Sequence, residues 1–358
     1  MDRKFNVLVA PLNWGLGHST RCIPIIKGLL DRQCQVVIAS DGDALLVLKR
    51  EFPNLNYTTL PSYKATYSSG QWTFIKILGQ LPKFLFAIRK EHQVIEHLTA
   101  QQSFDLIISD NRYGCWSSKV QSIFLTHQLK IQVPRSMGWA KGIINFFNRR
   151  MINRFSRCWV PDYNGEESLS GKLSEVINEG TVYIGPISRF QNDIPQKITY
   201  DYLCIVSGPE PQRTIFEDII RRDFIKSGKR CALVRGKPIL NAINKIKNID
   251  EFDYLPAEEL NHLILQSDLI ISRSGYTTIM DLHRLGKKAI FIPTPGQTEQ
   301  EYLAWRFRKK RIAYSMNQSD FNLSLAIENS IGYSGFTARH DNLLSNELDN
   351  FFLKHGKQ

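Results

Sequence analysis

Along nearly the whole chain, short apolar runs alternate with stretches whose apolar residues recur at helical spacing. The run FNVLVAPL (5–12) is followed by apolar residues at 22, 26, 29 and 30, which share one face of a helix. Strands that alternate with helices are typical of parallel sheets whose two faces are covered by helices. We therefore predict an α/β fold built on parallel sheets.

The predicted strands form two series, separated by the Pro- and Gly-containing polar segment 185–197. The first series is FNVLVAPL (5–12), QVVIAS (35–40), LNYTTL (55–60), FDLIISD (104–110), SIFLTH (122–127) and TVYIGP (181–186). The second is YLCIVSG (202–208), RCALVRG (230–236), DLIISRSG (268–275), KAIFIPTP (288–295) and IAYSM (312–316). A length of 358 residues also suits two domains. We predict domains over 1–190 and 191–335, and a final helix within 336–358.

Composition places the chain among globular proteins of the cytosol. Hydrophobic residues make up 42%, and no apolar run reaches the roughly 18 residues of a membrane-spanning helix. The first apolar run is too short for a signal peptide. The cysteines at 22, 34, 115, 158, 204 and 231 are scattered without a CxxC motif. This pattern favours reduced, buried thiols over disulfides or a zinc site.

The net charge of +12 favours anionic partners, which include phosphates, nucleic acids and anionic membrane surfaces. Basic residues concentrate in 135–158, which contains no acid, and in RFRKKR (306–311). No RNA- or DNA-binding motif accompanies them, so we predict no nucleic-acid partner. The basic stretches 63–90 and 139–158 also contain aromatic residues, in the manner of amphipathic helices at a membrane interface. Core helices with basic outer faces remain the alternative.

The first predicted strand runs into the turn GLGHST (15–20), which opens the next helix. It resembles the dinucleotide fingerprint GxGxxG, except that Thr20 replaces the third glycine. Asp41 ends the second strand, where a ribose ligand would lie, so a nicotinamide-dependent dehydrogenase is one alternative. The pair Asp41 and Asp43 could also bind a metal, but we favour Asp41 as the cap of the helix that follows.

A stronger signal is the segment 268–307, which reads as strand, Ser-Gly turn, helix, strand, Pro-Gly turn and helix. Ser274 and Gly275 lie where a helix begins, so free amides there can hold a phosphate. Asp281 follows about one turn into that helix and could accept hydrogen bonds from a ribose diol. TEQE (298–301) opens the next helix and would face the same crevice, although a capping box explains Thr298 equally well.

Together, GLGHSTR, RSGYTTIMDL and PGQTEQEYLA resemble motifs of the GT-B glycosyltransferases. The likeness is to the peptidoglycan N-acetylglucosaminyltransferase that makes lipid II, and to its uncharacterised relatives. The resemblance implies two facing Rossmann-like domains, with helices on both faces of each parallel sheet. It implies a nucleotide sugar on the second domain, an acceptor on the first, and a last helix that returns to the first domain. It also implies inverting chemistry with no required metal and no cofactor beyond the UDP-sugar co-substrate.

The resemblance assigns roles to particular residues of the second domain. Asp281 would bind the ribose, and Gln300 and Glu301 would read the donor sugar, although the family usually has Gln at the second of these positions. Further donor contacts are implied at Gly17 in the first domain. In the two phosphate turns of the second domain they are implied at Ser207, Gly208, Arg213, Ser274, Gly275, Tyr276 and Thr277. The loop VSGPEPQR (206–213) departs from the family's glycine-rich turn, because its prolines remove two amide donors.

His18 is the candidate general base, because an imidazole titrates near neutral pH and glycosyl transfer needs a hydroxyl deprotonated as it attacks. Gly15 and Gly17 allow the tight turn that exposes it. Asp110 could orient the ring through a carboxylate–imidazole bond, and His127 is the reserve base.

We thus predict a cytoplasmic, inverting, metal-independent glycosyltransferase. Its donor would be UDP-N-acetylglucosamine or a related UDP-hexose. Its acceptor would be a hydroxyl, in a lipid-linked molecule at the inner face of an anionic membrane if the aromatic basic stretches are interfacial. The alternatives are a UDP-sugar epimerase of the same fold, the dehydrogenase, and a non-catalytic module that binds nucleotide sugars.

Overall fold

The computed structural model describes residues 4–64, 76, 78–175, 180–192, 197–238 and 242–355. Within them the chain forms two compact units. The first unit contains residues 4–64, 78–187 and 341–355, and the second contains 188–340. Each unit is an α/β fold with a largely parallel sheet flanked by helices, so the predicted fold class is confirmed.

The first unit contains a seven-stranded sheet in the order β3-β2-β1-β4-β5-β6-β7, and every pair in it is parallel. Its strands are β1 (Asn6–Pro11), β2 (Gln35–Ser40), β3 (Asn56–Thr59), β4 (Leu106–Asp110), β5 (Gln121–Leu125), β6 (Arg157–Val160) and β7 (Thr181–Tyr183). Its helices are α1 (Leu16–Asp31), α2 (Gly42–Glu51), α3 (Leu81–Gln101), α4 (Lys141–Ile152) and α10 (Leu343–His355). The central strands are buried almost throughout, which explains their continuous apolar runs.

The helix α10 belongs to the first unit, although it follows the second unit in the chain. It packs on α1 so closely that a Cβ on Gly28 would lie 2.9 Å from Cδ1 of Leu348. Arg32 of α1 donates to Asp349 at 2.8 Å, and the rings of Phe5 and Phe352 meet edge to face. The helix therefore completes the packing of the first unit.

The second unit contains a seven-stranded sheet in the order β10-β11-β9-β8-β12-β13-β14. Its strands are β8 (Tyr200–Ile205), β9 (Cys231–Val234), β10 (Ile243–Ile246), β11 (Ile249–Phe252), β12 (Ser267–Ser272), β13 (Lys288–Phe291) and β14 (Tyr314–Ser315). Its helices are α5 (Gln212–Ser227), α6 (Ala257–Leu265), α7 (Tyr276–Leu285), α8 (Thr298–Lys309) and α9 (Leu323–Ser330). The sequence did not predict β10 and β11, which pair antiparallel at one edge.

All six cysteines are unpaired and buried, as the sequence predicts. Among the helices of the described residues, none is both long and apolar enough to cross a membrane.

Candidate functional site

The histidine of the first turn lies where β1 gives way to α1. Gly15 has φ +85°, a backbone conformation that residues with a side chain rarely adopt, and α1 begins at the next residue. Gly17 and His18 therefore fall in the first turn of the helix. The side chain of His18 is 18% exposed, whereas the carboxylate it faces is fully buried. An imidazole in this setting can reach a substrate at one end and a fixed partner at the other.

Three side chains meet at this point. Nδ1 of His18 lies 2.9 Å from Oδ1 of Asp110, the last residue of β4. Arg21, one turn along α1, donates from Nε to Oδ2 of Asp110 at 2.6 Å and from Nη2 to Oδ1. Nη2 of Arg21 also lies 2.9 Å from Nδ1 of His18. The contact between His18 and Asp110 is present as the sequence predicted, and the third member, Arg21, was missed.

The charges of this cluster shift the pKa values of its members. Burial alone would raise the pKa of Asp110, but Arg21 and His18 outweigh it and lower the pKa to about 2. The pKa of His18 is lowered because burial and the charge of Arg21 together outweigh Asp110. At neutral pH the carboxylate is therefore ionised and the imidazole neutral, which is the protonation state that a general base needs.

The reserve histidine belongs to the same cluster. Nη1 of Arg21 lies 3.2 Å from Nδ1 of His127, which is buried just beyond the end of β5. A guanidinium can only donate, so Nδ1 of His127 accepts this bond. His127 thus contacts a different nitrogen of Arg21 from the one that His18 contacts.

Asp41 occupies the N-cap position of α2, as the sequence predicted. Its side chain makes no cap bond, however, and its carboxylate pairs with the buried Arg112. Arg112 also donates to Glu91 at 2.5 Å and to the carbonyl of Pro11 at 2.9 Å. Asp41 is therefore engaged inside the unit. Among the described residues, no group of three or more His, Cys, Asp or Glu side chains could hold a metal ion.

In the second unit, the turn after β8 carries Ser207 and Gly208, both half-buried. Gly208 has φ +106°, and a Cβ there would lie 3.6 Å from Oγ1 of Thr294. Arg213, one of the predicted phosphate contacts, donates to Glu210 at 2.9 Å and to the carbonyl of Gly236 at 2.9 Å. Its charge is therefore already balanced by a carboxylate in this structure.

The turn after β12 leads into α7, which begins at Tyr276 with Gly275 as its N-cap. Tyr276 is buried and Thr277 is half-buried. The hydroxyl of Ser274 is buried and donates to the carbonyl of Gln300 at 2.7 Å. The hydroxyl of Ser274 is therefore already engaged within the unit.

Asp281 lies on α7 and is almost fully buried. Its Oδ1 accepts a hydrogen bond from Oγ of Ser188 at 2.5 Å. Burial raises the pKa of Asp281 to about 6, against the opposing charge of Arg189 and the bond from Ser188. Arg189 has buried Nε and Nη1 atoms without a hydrogen-bond partner.

Gln300 and Glu301 hold the loop before α8 in place. Oε1 of Gln300 accepts from the amide of Thr294 at 2.8 Å, and its Nε2 donates to Oε1 of Gln297 at 2.6 Å. Oε1 of Glu301 accepts from the amide of Gly296 at 2.9 Å. To bind the hydroxyls of a sugar, Gln300 and Glu301 would have to break these hydrogen bonds or form additional ones.

The second unit has further buried polar atoms without hydrogen-bond partners near the carboxyl ends of β12 and β13. They are Oγ of Ser272, Nε of Arg273 and Oγ1 of Thr294. Buried polar groups in folded proteins are nearly always paired, so such atoms mark a place where a ligand can complete the bonding. Thr294 and Arg189 were missed from the sequence, because a threonine before Pro-Gly and an arginine in a linker have many ordinary explanations.

Comparison of the whole fold places it in a known class. The chain superposes on the crystal structure of the glycotransferase of kitacinnamycin with a TM-score of 0.63 and 14% identity, over 99% of this chain and 96% of that one. At this identity the likeness establishes the fold alone. It is the GT-B fold, with two parallel-sheet α/β units.

Sequence relatives extend this to activity. Residues 228–331 match the glycosyltransferase family 28 C-terminal domain. An uncharacterised glycosyltransferase of Methanopyrus kandleri is 22% identical over 348 residues, which are 89% of this chain and 92% of that protein. A 109-residue segment, 30% of each chain, is 26% identical to the UDP-N-acetylglucosamine–N-acetylmuramyl-(pentapeptide) pyrophosphoryl-undecaprenol N-acetylglucosamine transferase of Sulfurihydrogenibium. The chain is a glycosyltransferase with the GT-B fold, its second unit matches the family 28 C-terminal domain, and the predicted resemblance is confirmed.

Proposed function

We propose that the protein transfers a hexose from a UDP-sugar to an acceptor hydroxyl, with inversion and without a required metal. The observation that carries this is the half-buried His18 paired with the ionised Asp110, in a chain of the glycosyltransferase class. UDP-N-acetylglucosamine is the proposed donor, because it is named in the relative from Sulfurihydrogenibium.

His18 would act as the general base. Its Nδ1 is occupied by the contacts with Asp110 and Arg21, which leaves Nε2 to take the acceptor proton. As that proton leaves, the acceptor oxygen forms a bond to the anomeric carbon, and the bond from that carbon to the UDP oxygen breaks with its electron pair. Asp110 then stabilises the imidazolium, as the third member of a catalytic triad does.

The donor would be held by the second unit. Asp281 is the proposed ribose ligand, since an ionised carboxylate can accept two hydroxyl bonds. The helix start of α7 can hold the diphosphate, because helix N-termini favour anions. Thr294 and Arg189 have buried polar atoms without hydrogen-bond partners, and both are proposed as additional contacts to the UDP-sugar.

Thermal shift with a nucleotide panel tests the donor class. UDP and UDP-N-acetylglucosamine should stabilise the protein equally with and without EDTA, and a ligand at 100 times its Kd adds about 2.7 kcal/mol. Asp281→Ala should weaken UDP binding by about 1–3 kcal/mol, because a charged hydrogen-bond acceptor is lost. Glu258→Ala, an exposed acid on α6, is the matched control.

Other results would select the alternatives. Stabilisation by NAD but not by UDP would replace the proposal with the dehydrogenase. Conversion of the UDP-sugar to its epimer without an acceptor would identify the epimerase. Tight UDP binding with no transfer or hydrolysis by the wild type would leave a binding module.

A lipid-linked acceptor is the second part of the proposal, and the surface of α4 favours it. Trp139, Ile143, Phe146 and Phe147 are 76%, 56%, 53% and 56% exposed, an uncommon run of large apolar side chains on one helix and its preceding turn. Arg149 and Arg150 follow in the last turn of α4. Aromatic residues beside basic ones suit the interface of an anionic bilayer.

From the stretches 63–90 and 139–158, the sequence predicts a membrane patch of Trp72, Phe74, Phe84, Phe86 and the basic run 149–157. One member needs correction, because Phe84 of α3 is buried against Trp14 and Tyr63, whereas Phe86 of the same helix is 60% exposed. The residues at 72 and 74 lie outside the described residues.

Flotation with anionic vesicles tests this surface. The wild type should float at low salt and less so at high salt, because each basic residue near such a surface contributes about 1 kcal/mol. Phe146→Ser with Phe147→Ser should abolish flotation, and Ile243→Ser, which removes an exposed apolar side chain of the second unit, should not. A wild-type protein that stays in solution at low salt would point to a soluble acceptor.

A further inference from the structure

We propose that Arg21 is a positioning residue of the catalytic pair: it fixes the Asp110 carboxylate in the orientation that receives the proton of His18 Nδ1. This rests on the proposed role of His18 as the base. Arg21 itself touches no reacting atom in this scheme, because it acts through Asp110.

The geometry is that of a two-point clamp. Nε and Nη2 of Arg21 donate to the two different carboxylate oxygens of Asp110, which is how a guanidinium binds a carboxylate most specifically. Both side chains are fully or almost fully buried, so the bonds do not compete with solvent. The carboxylate can no longer rotate about its own axis, and Oδ1 stays directed at His18 Nδ1.

Arg21 also bears on where the imidazole proton lies. Nη2 of Arg21 lies 2.9 Å from Nδ1 of His18. Oδ1 of Asp110 lies at the same distance from that nitrogen. With the proton on Nδ1, both nitrogens donate to Oδ1, and Nε2 is free to act as the base. With the proton on Nε2, Nδ1 would accept from Arg21 but would face the carboxylate oxygen as a second acceptor. Fixing Oδ1 therefore favours the catalytic tautomer.

Within the described part of the chain, three ionisable groups act on His18: Arg21 of its own helix, Asp110 at the end of β4, and His127 beyond β5. The thiol of Cys22, also on α1, contacts Asp110 instead. Arg21 balances the charge of Asp110, so a proton on His18 would add a net positive charge in a buried place. This keeps the imidazole neutral and lowers its pKa.

NMR of protein labelled with ¹³C and ¹⁵N in the histidine rings measures both properties without substrate. Wild-type His18, assigned by its loss in His18→Gln, should carry its proton on Nδ1 and titrate below the ordinary histidine pKa. Arg21→Met should raise the pKa of His18 and move the proton toward Nε2, the nitrogen that an unconstrained histidine favours. Arg32→Met, on the same helix, should change neither.

Arg21→Lys separates charge from geometry and is the variant to use if Arg21→Met does not fold. It should restore the pKa of His18 toward the wild-type value, because the charge returns. It should not restore the tautomer, because one ammonium cannot clamp both oxygens. Turnover measured where His18 is neutral should fall by up to about 10²-fold, as expected for a misplaced catalytic group.

Two results would overturn the proposal: ring signals of His18 unchanged in folded Arg21→Met, or a lysine variant with wild-type tautomer and turnover. Either could occur beside an inactive His18→Ala, and then the base role would survive while the role of Arg21 fell. Full turnover in His18→Ala would instead remove the base itself.

Discussion

The carboxyl edges of the two sheets differ in how their polar side chains are bonded. At the first edge, His18, Arg21, Asp110 and Arg112 are engaged with carboxylates, guanidinium groups or carbonyls of the same unit. In the second unit Arg213, Ser274, Gln300 and Glu301 are bonded in the same way, but Thr294 and Arg189 also present buried polar atoms with no partner. Side chains that are already hydrogen-bonded to one another need little reorganisation during a reaction. Buried polar atoms without a partner are instead stabilised when a ligand supplies the missing hydrogen bond. The contrast suits chemistry at the first edge and donor binding at the second.

The sharpest test removes the imidazole. His18→Ala should lower turnover by about 10²–10⁴-fold and leave UDP affinity nearly unchanged, because general-base catalysis is lost while the donor contacts of the second unit remain. Transfer, or slow hydrolysis of the donor, at saturating substrate measures it. His92→Ala, which removes a histidine stacked on Trp116, is the control. More than about a third of wild-type turnover in His18→Ala would rule out His18 as the base and make His127 the next residue to change.

Breaking the other charge cluster of the first edge should cost stability instead. Arg112→Met leaves Asp41 and Glu91 without their cation, and burial already raises the pKa of Glu91. Unpaired buried charges typically cost about 3–5 kcal/mol, measured by urea denaturation. Arg213→Met at the second edge, which breaks a partly exposed pair with Glu210, should cost less than about 1 kcal/mol. Equal losses would contradict the contrast.

The two buried acids should respond oppositely to pH. Asp110 has a lowered pKa, so its stabilising contribution is present above about pH 4 and is lost as the pH falls through about 2. Asp281 has a pKa raised to about 6, so the second unit loses stability as the pH rises from about 4 to 6. Asp281→Asn should abolish that loss, which amounts to about 3 kcal/mol at 1.36 kcal/mol per pKa unit. A flat wild-type curve between pH 4 and 6 would refute the assignment.

The smallest effect should separate stability from binding. Thr294→Val removes a buried hydroxyl without a partner, so the free energy of unfolding should stay level or rise. UDP affinity should fall by about 0.5–1.5 kcal/mol if that hydroxyl binds the donor. Thr126→Val at the first edge removes the acceptor of the Gln128 amide and should lower stability without changing UDP binding. Unchanged UDP affinity in Thr294→Val would leave its hydroxyl unexplained.

The regular part of the fold could be predicted because buried parallel strands and their covering helices leave a strong apolar pattern. The hairpin β10–β11 could not, since INKI (243–246) is mostly exposed at a sheet edge and alternates too briefly to signal a strand. Edge strands depend on their neighbours more than on their own composition.

The candidate site could be predicted only as far as it is local. The glycine turn with His18, and Asp110 at the end of an apolar run, each leave a mark in the sequence. Arg21 could not be predicted as a site residue, because an arginine in a helix is usually a surface charge. Only the structure shows that β4 brings the carboxylate of Asp110 into contact with it. The partner of Asp41 was hidden for the same reason, since Arg112 is 71 residues away.

The helix α10 has a consequence for the order in which the protein folds. During synthesis it emerges only after the whole second unit, yet it supplies Leu348, Asp349 and Phe352 to the first unit. Because domains generally fold from the N-terminus during synthesis, residues 4–187 are made with the α1 surface uncovered. The first unit can complete its packing only after residues 188–340 have been made, although it begins the chain.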